Sequence, residues 1–446
     1  MKYPKLLIIN NYSFNEFKGG GITLKNLFLG WPKDSIAFAH YSVSKPMTNI
    51  CEKYFKIGYD ESHYIFPINK LSNEPKGRIN GPYSEQNYEN VYGTKNSTDS
   101  LVQKHIPTQN IFKQWFQQFI LKVGLQEFVH PLRMSKSLKD WILEFNPDII
   151  YCQPENISFI NLVLKAQNIT GAKVVVHVMD DWPYLIYKDK TIKFLLRTIV
   201  NRKFRKLLNI SSLRLGISKA MAEEFQIRYK LPFKYFHNPI DLSKMNELSR
   251  FENDRNGSYL VVYSGRIGWT ASHDSIIEFS KCIEALRMDG LDISFNIYTD
   301  LNEKENDFSK FKHDGTNLLP PLNDENFITK LLEADLLLYP VDFDKKSIEF
   351  IRLSFPTKLP SYLISGIPIF CYGPSVVHSI RFMIENKIGF ICTDQKIEIL
   401  KKSIIDAINN KELREEYSAR ASEFAKNNFD RSKISNSFHQ EIANCI

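Results

Sequence analysis

Lys5-Leu6-Leu7-Ile8-Ile9-Asn10, then Gly19-Gly20-Gly21, then a helical pattern from Ile22 to Leu29 open the chain in that order. Four apolar residues bounded by polar ones suit a strand buried on both faces. Strand, glycine loop and helix together are how an α/β nucleotide-binding sheet begins. Glycine lets the backbone approach a phosphate, and a helix N-terminus favours negative charge. Gly20 and Gly21 are therefore candidate phosphate contacts, with a plain flexible turn as the alternative. The GxGxxG spacing is missing, which argues against a nicotinamide or flavin dehydrogenase.

The same rhythm continues outward from this opening. Strand candidates at Asp148–Cys152, Lys173–Val178 and Leu213–Ile217 are separated by helical patterns such as Leu138–Phe145, Ile157–Gln167 and Lys190–Leu208. A second series starts at Tyr259, with strands at Leu260–Ser264, Ile293–Tyr298, Leu336–Tyr339 and Ile367–Cys371. Alternation of this kind predicts parallel βαβ units. At 446 residues the chain suits two domains, expected at 1–240 and 241–446, with a polar linker at Arg250–Ser258. The last helical stretch, Ser432–Ile446, is a candidate to pack back on the first domain. Residues 69–112 break the period and read as an excursion, extended to about 135 by the aromatic helical stretch Ile111–Val129. That stretch, with Phe112, Trp115, Phe116, Phe119 and Phe128, either lines a groove or packs the excursion down.

Composition narrows the class. The charged fraction is 24% and the hydrophobic fraction 43%, which suits a folded soluble protein. No apolar run reaches the length of a membrane span, and the first residues lack a signal-peptide core. The six cysteines are scattered without a CxxC pair and read as reduced thiols in a cytoplasmic protein. Residues 1–240 carry 33 Lys and Arg against 19 Asp and Glu, while the remainder carries 25 against 31. A basic first half suggests an anionic partner. Lys188–Leu208 is a basic amphipathic stretch, suited either to a solvated face or to an anionic membrane surface. No nucleic-acid motif accompanies the basic residues, so nucleic acid is not expected as a partner.

Three further positions carry chemistry. His177-Val178-Met179-Asp180-Asp181-Trp182-Pro183 ends a predicted strand, where a carboxylate pair orients hydroxyls, acts as a base or merely caps a helix. Adjacent aspartates lack Asp-x-Asp spacing, so no metal is inferred. Tyr263-Ser264-Gly265-Arg266-Ile267-Gly268-Trp269 places an Arg beside glycines, suited to clamping a diphosphate. Arg352-Leu353-Ser354-Phe355-Pro356-Thr357-Lys358-Leu359 opens a helix with two cations, two hydroxyls and free N–H groups.

Taken in order, these motifs resemble family-four retaining glycosyltransferases of the GT-B fold, along nearly the whole chain and least between 40 and 135. The resemblance implies two Rossmann-like doubly wound domains facing across a cleft. It implies a nucleotide-sugar donor held by Gly20, Gly21, Gly265, Arg266, Arg352, Ser354, Thr357, Lys358, Leu359 and Ser361. The acceptor would meet His177, Asp180, Asp181 and Trp182. Leu215-Gly216-Ile217-Ser218-Lys219 and His237-Asn238-Pro239-Ile240-Asp241 are similar to the elements leading into the family's hinge. Catalysis would rest on Asp180, Asp181, Arg266 and Lys358, without a metal or other cofactor.

The chain departs from the family at several places. A Lys usual after the Arg is Ala271, two usual Glu positions are Ser361 and Leu353, and a usual His is Met179. Arg352 and Lys358 are candidates to replace the missing charge. The expected activity is transfer of a hexose-type sugar to a glycan or lipid-linked acceptor with retention, in cell-surface polysaccharide synthesis at the inner membrane face. A sugar-nucleotide epimerase and a non-catalytic subunit binding glycan or a partner enzyme are the alternatives.

Overall fold

The computed structural model describes residues 2–15, 19–42, 47–63, 65, 81–83, 111–242, 257–268, 271–301, 307–322 and 324–446. The chain divides into two compact units, Met1–Phe236 with Ser435–Ile446, and His237–Ile434. The first therefore ends at Phe236, four residues before the break read from the sequence, and takes in the last twelve residues of the chain.

The first unit is built on one eight-stranded sheet. Its strands are β1 (Leu6–Asn10), β2 (Ile36–His40), β3 (Lys53–Lys56), β4 (Gly81–Tyr83), β5 (Ile149–Cys152), β6 (Lys173–Val178), β7 (Ser211–Gly216) and β8 (Lys234–Tyr235). The order is β4-β3-β2-β1-β5-β6-β7-β8, with only β3 and β4 antiparallel. All residues of β1, β2 and β5 are buried, as helices on both faces of a parallel sheet require. β1 pairs with β2 on one side (Leu6 with Ile36) and with β5 on the other (Leu6 with Ile149). The connections reverse direction there, which makes the carboxyl ends of β1 and β5 a topological switch point.

The second unit carries a six-stranded, fully parallel sheet. It contains β9 (Tyr259–Ser264), β10 (Ile293–Tyr298), β11 (Thr316–Leu319), β12 (Leu336–Pro340), β13 (Ile369–Tyr372) and β14 (Phe390–Cys392), ordered β11-β10-β9-β12-β13-β14. Its switch point lies between β9 and β12, which pair through Val261 and Leu336. Apolar clusters on both faces fill the layers, one around Leu359, Tyr362 and Leu363, the other around Phe279, Phe295 and Phe370.

Local chemistry sets the helix ends. Ser135, Asn156 and Ser218 each accept a hydrogen bond from a backbone N–H three residues on, starting the helices Lys136–Phe145, Ile157–Thr170 and Lys219–Tyr229. Gly171 ends the second of these at φ 70°.

The glycine cluster differs from its reading as a loop. Gly19–Gly21 forms the first turn of the helix Gly19–Phe28. A Cβ on Gly20 would lie 2.2 Å from the Tyr12 ring, and one on Gly21 would lie 1.8 Å from the Asn15 amide. Glycine is needed here so that the chain's own side chains can cross the helix start. The aromatic stretch is helical, and Phe128 beyond it packs against the cluster of Ile157, Leu196 and Val200. It forms the helix Ile111–Val123, breaks at Gly124 (φ 91°), and leaves Trp115 and Phe119 exposed with their rings stacked. Most of the 69–112 excursion, much of the Arg250–Ser258 linker, and Trp269 lie outside the described residues, as do the side chains of Phe112 and Phe116.

Candidate active site

In the first unit, polar residues follow the apolar runs at the switch point. Asn10 ends β1 with Asn11 and Tyr12 just beyond it, Gln153 and Glu155 follow β5, and Asp180 follows β6. Tyr12 Oη donates to Gln153 Oε1 at 2.5 Å, and Asn10 Nδ2 donates to the same oxygen at 3.2 Å. Asn11 Nδ2 donates to Glu155 Oε2 at 2.9 Å. Burial pushes the Glu155 carboxyl above its ordinary range; the Asn11 bond opposes this and the charge of Asp180 adds to it. Burial and then the Glu155 charge raise Tyr12 as well, so its hydroxyl stays protonated.

The two aspartates have different surroundings. Asp180 is exposed. Asp181 is 3% exposed and takes a bidentate pair from Arg228, Nη1 to Oδ1 at 2.6 Å and Nη2 to Oδ2 at 2.8 Å. Arg228 also reaches Glu224 at 2.8 Å. This geometry joins the end of β6 to the helix Lys219–Tyr229, so Asp181 is held in an internal ion pair.

His177 lies wholly inside the unit. Its Nδ1 meets Tyr151 Oη at 2.7 Å, and its ring packs near Phe438. Burial lowers it to about 4, so it is neutral at pH 7. Gln153 Nε2 donates to Tyr151 Oη, which leaves the tyrosine proton for His177 Nδ1. Trp182 is half-buried and packs edge-on against Phe204 at 5.4 Å. Of the four acceptor candidates, Asp180 is the one open to solvent.

In the second unit the strand ends bring Gly265, Arg266 and Lys358 together. Gly265 has φ 150°, a conformation that disfavours other residues. A Cβ there would lie 3.2 Å from Lys358 Nζ and 3.3 Å from Tyr263 Oη. Lys358 Nζ stands 4.0 Å from the Tyr263 ring centroid and 6.0 Å from that of Tyr339, an attraction between cation and ring face. Tyr263 Oη donates to Arg266 O at 2.7 Å, shaping the loop. Tyr362, fully buried on the helix Lys358–Ile364, accepts from Ser264 N at 2.8 Å and fixes that helix to the end of β9.

The other donor candidates lie nearby in sequence but differ in exposure. Arg352, Ser354, Thr357 and Ser361 are half-exposed, whereas Leu359 and Leu353 are buried in the core. Leu359 can contribute to a donor site only through its backbone. Thr357 O accepts from Asn238 Nδ2 at 3.2 Å. Ala271 O accepts from the backbone of Asp342 at 2.9 Å, next to His273, which pairs with Asp274 at 2.7 Å.

Sequence reasoning missed Asn11, Tyr12, Gln153, Glu155, Tyr263, Tyr362 and Asp342. A signal existed, because polar residues directly after apolar strand runs mark ligand-bearing strand ends in such sheets. Asp342 follows β12; its Oδ1 accepts from Ser275 N at 2.8 Å, and burial raises its carboxyl to about 6. Among the described residues, no group of three or more His, Cys, Asp or Glu is placed to hold a metal ion.

The folded chain aligns over its whole length with solved structures. Sucrose-phosphate synthase from Thermosynechococcus elongatus superposes with a TM-score of 0.62 at 8% identity, over 99% of this chain and 98% of that one. The chain has the GT-B fold. HepE from Anabaena, in complex with UDP and glucose, shares that fold at a TM-score of 0.56 and 12% identity, over 99% and 100% of the two chains. WaaG, a glycosyltransferase involved in lipopolysaccharide biosynthesis, matches at 0.56 and 11%, over 98% and 99%. No protein-family model and no curated protein sequence matches the chain. In the GT-B frame, the Asn11–Glu155 cluster and the Gly265–Lys358 cluster each occupy the switch point of one sheet.

Proposed function

We propose that this protein is a metal-independent glycosyltransferase that moves a hexose-type sugar from a nucleotide-sugar donor to a glycan or lipid-linked acceptor with retention. The observation that carries the reading is the Lys358 ammonium beside Gly265 at the end of β9. A cation next to a glycine loop suits a diphosphate, and the neighbouring Arg266 is an exposed second cation on the same loop. Lys358 and Arg266 stabilise the charge developing on the leaving diphosphate, the term that most lowers barriers of this kind. Lys358 thereby takes the place of the cation missing at Ala271. Asp180, the exposed aspartate, orients the attacking hydroxyl. The complexes of HepE with UDP and with UDP-glucose support a uridine donor.

A purified sample screened by calorimetry against UDP, GDP, ADP, CMP and dTDP, with magnesium or with EDTA, tests this reading. One nucleotide should bind equally well in both buffers. Binding of none, or binding only with magnesium, contradicts it.

A membrane-bound acceptor is supported by a patch on the first unit. The helix Lys193–Ile210 exposes Phe194 at 82% and Leu195 at 61% while burying Leu196, Val200 and Phe204. A Cβ on Gly124 would lie 2.7 Å from Leu196, so the end of the helix bearing exposed Trp115, Phe119 and Leu121 abuts it. Lys122, Lys193, Arg202, Arg205 and Lys206 are exposed on the same two helices. Apolar side chains among cations suit the interface of an anionic bilayer. We place the enzyme on the inner membrane face in cell-surface polysaccharide synthesis. Among the described residues, no helix is long and apolar enough to cross a membrane.

A further inference from the structure

Three cations gather around one aromatic ring in the first unit. Tyr184 lies on the short helix Trp182–Leu185, directly after the strand-end aspartates, and is 36% exposed. Lys188 Nζ stands 5.1 Å from its ring centroid, the Arg197 guanidinium 5.5 Å and the Arg228 guanidinium 5.8 Å. Arg228 is bonded to Asp181 and Glu224. Arg197 is half-buried and has no carboxylate partner among the described residues. Residues 184–210 carry eight Lys and Arg with Asp189 as the one acid. A ring face attracts a guanidinium but leaves its N–H fork unspent. The position of the ring is also fixed. The backbone N–H groups of Tyr184 and Leu185 donate to Asp181 O at 3.1 and 3.2 Å, and Arg228 holds Asp181. On its other side, Arg197 follows Phe194 by three residues on the helix Lys193–Ile210 and so shares its face. Phe194 is 82% exposed.

We infer that Arg197 and Tyr184, with the charge of Lys188 beside them, bind the phosphate of a lipid-linked acceptor. This rests on the transferase reading and deepens it by naming the group that joins the lipid to the sugar. Such an acceptor runs from hydrocarbon chain to phosphate to sugar. The protein presents matching surfaces in the same order: exposed Phe194 and Leu195, then Arg197 and Tyr184, then the strand end that carries Asp180. The guanidinium fork suits two phosphate oxygens, and the Tyr184 hydroxyl can donate to a third. The lipid chain meets the apolar side chains one turn away. A neutral lipid gains only the apolar contact, and a free phosphate gains only the charge. The site binds and places the acceptor; no bond is made or broken in it.

Calorimetric titration of the full chain in EDTA, with farnesyl phosphate, farnesol and inorganic phosphate as probes, tests the site. Wild-type protein should bind farnesyl phosphate at least tenfold more tightly than either of the others. Arg197→Gln should lose about tenfold toward farnesyl phosphate while keeping its affinity for farnesol and its melting temperature. Tyr184→Phe should lose severalfold. Lys203→Gln removes a charge from the same helix outside the site and should stay within twofold of wild type. Saturating UDP should leave farnesyl phosphate bound. Equal binding of farnesyl phosphate and farnesol, or no binding of either, overturns the inference. So does inorganic phosphate binding as tightly as the lipid, which would make this a free-phosphate site. Equal losses in Arg197→Gln and Lys203→Gln would reduce it to bulk charge, and displacement by UDP would give it to the nucleotide. UDP titration separates the two claims. Nucleotide binding without preference for the lipid phosphate sinks the site alone, whereas that preference without nucleotide binding sinks the transferase and leaves a lipid-phosphate site.

Discussion

The ammonium of Lys358 stands 4.0 Å from the centre of the Tyr263 ring, and a methyl group on Gly265 would lie 3.2 Å from that nitrogen. The cation is thus braced by an aromatic face and pressed against a backbone that has no side chain. Tyr362 holds the helix carrying Lys358 to Ser264, so the end of β9 and this helix together position one charge.

Gly265→Ala should be worse than its size suggests. The residue sits at φ 150°, where a Cβ adds backbone strain of about 1–3 kcal/mol, and the new methyl displaces Lys358. Thermal melting should fall by several degrees and nucleotide affinity should fall with it. A variant that melts and binds as wild type would show that the loop tolerates a side chain.

The two aspartates should separate in one experiment. Asp180→Asn should lower turnover while leaving the melting temperature unchanged, because Asp180 is exposed. Arg228→Ala should destabilise the fold by about 3 kcal/mol, since it strands the buried Asp181 carboxylate without its partner. Denaturant titration checks the second effect. Equal stability losses in the two variants would contradict the division of roles.

Asp342 makes stability depend on pH in a defined direction. Burial raises its carboxyl from 3.8 to about 6, so the folded state favours the protonated form. Its contribution is fully present below pH 3.8 and is lost as pH rises through 6. Asp342→Asn keeps an oxygen for Ser275 N and should be more stable than wild type at pH 7.5, with the difference vanishing toward pH 4. Parallel melts across that range read the crossover, and a constant difference would refute it.

Phe194 and Leu195 should govern membrane binding without governing the fold. Burying each in lipid contributes about 1.5–3 kcal/mol, so the double change to Ser should weaken binding to anionic vesicles at least tenfold. Added salt should weaken the wild type further. Unchanged vesicle binding by the variant, or no binding by wild type at low salt, counts against this surface.

Much of the architecture was legible because the inner strands are unbroken apolar runs. Lys173–Val178 and Ile293–Tyr298 match their sequence readings residue for residue. Short or mixed strands were not legible: Ile36–His40 contains Ala and His, and Lys53–Lys56 has charged ends, so pairing in the sheet rather than local pattern makes them strands. The site was partly legible. Gly265, Arg266 and Lys358 stood out by residue type, but Tyr263 and Tyr362 became meaningful only once folding placed them around the lysine. Nothing in Asp180-Asp181 tells which side chain turns inward; the distant Arg228 settles it. Ser361 and Leu353 stand where the resemblance has Glu, and the structure puts Leu353 in the core.

The central claim is that Lys358 holds the diphosphate of a nucleotide-sugar without a metal, and isothermal titration of UDP in EDTA tests it most directly. Wild-type protein should bind UDP, and Lys358→Ala should bind it at least tenfold more weakly, about 1.4 kcal/mol, with an unchanged melting temperature. Wild-type protein that ignores UDP and the other nucleoside diphosphates, or a Lys358→Ala variant that binds them as tightly as wild type, would contradict the account.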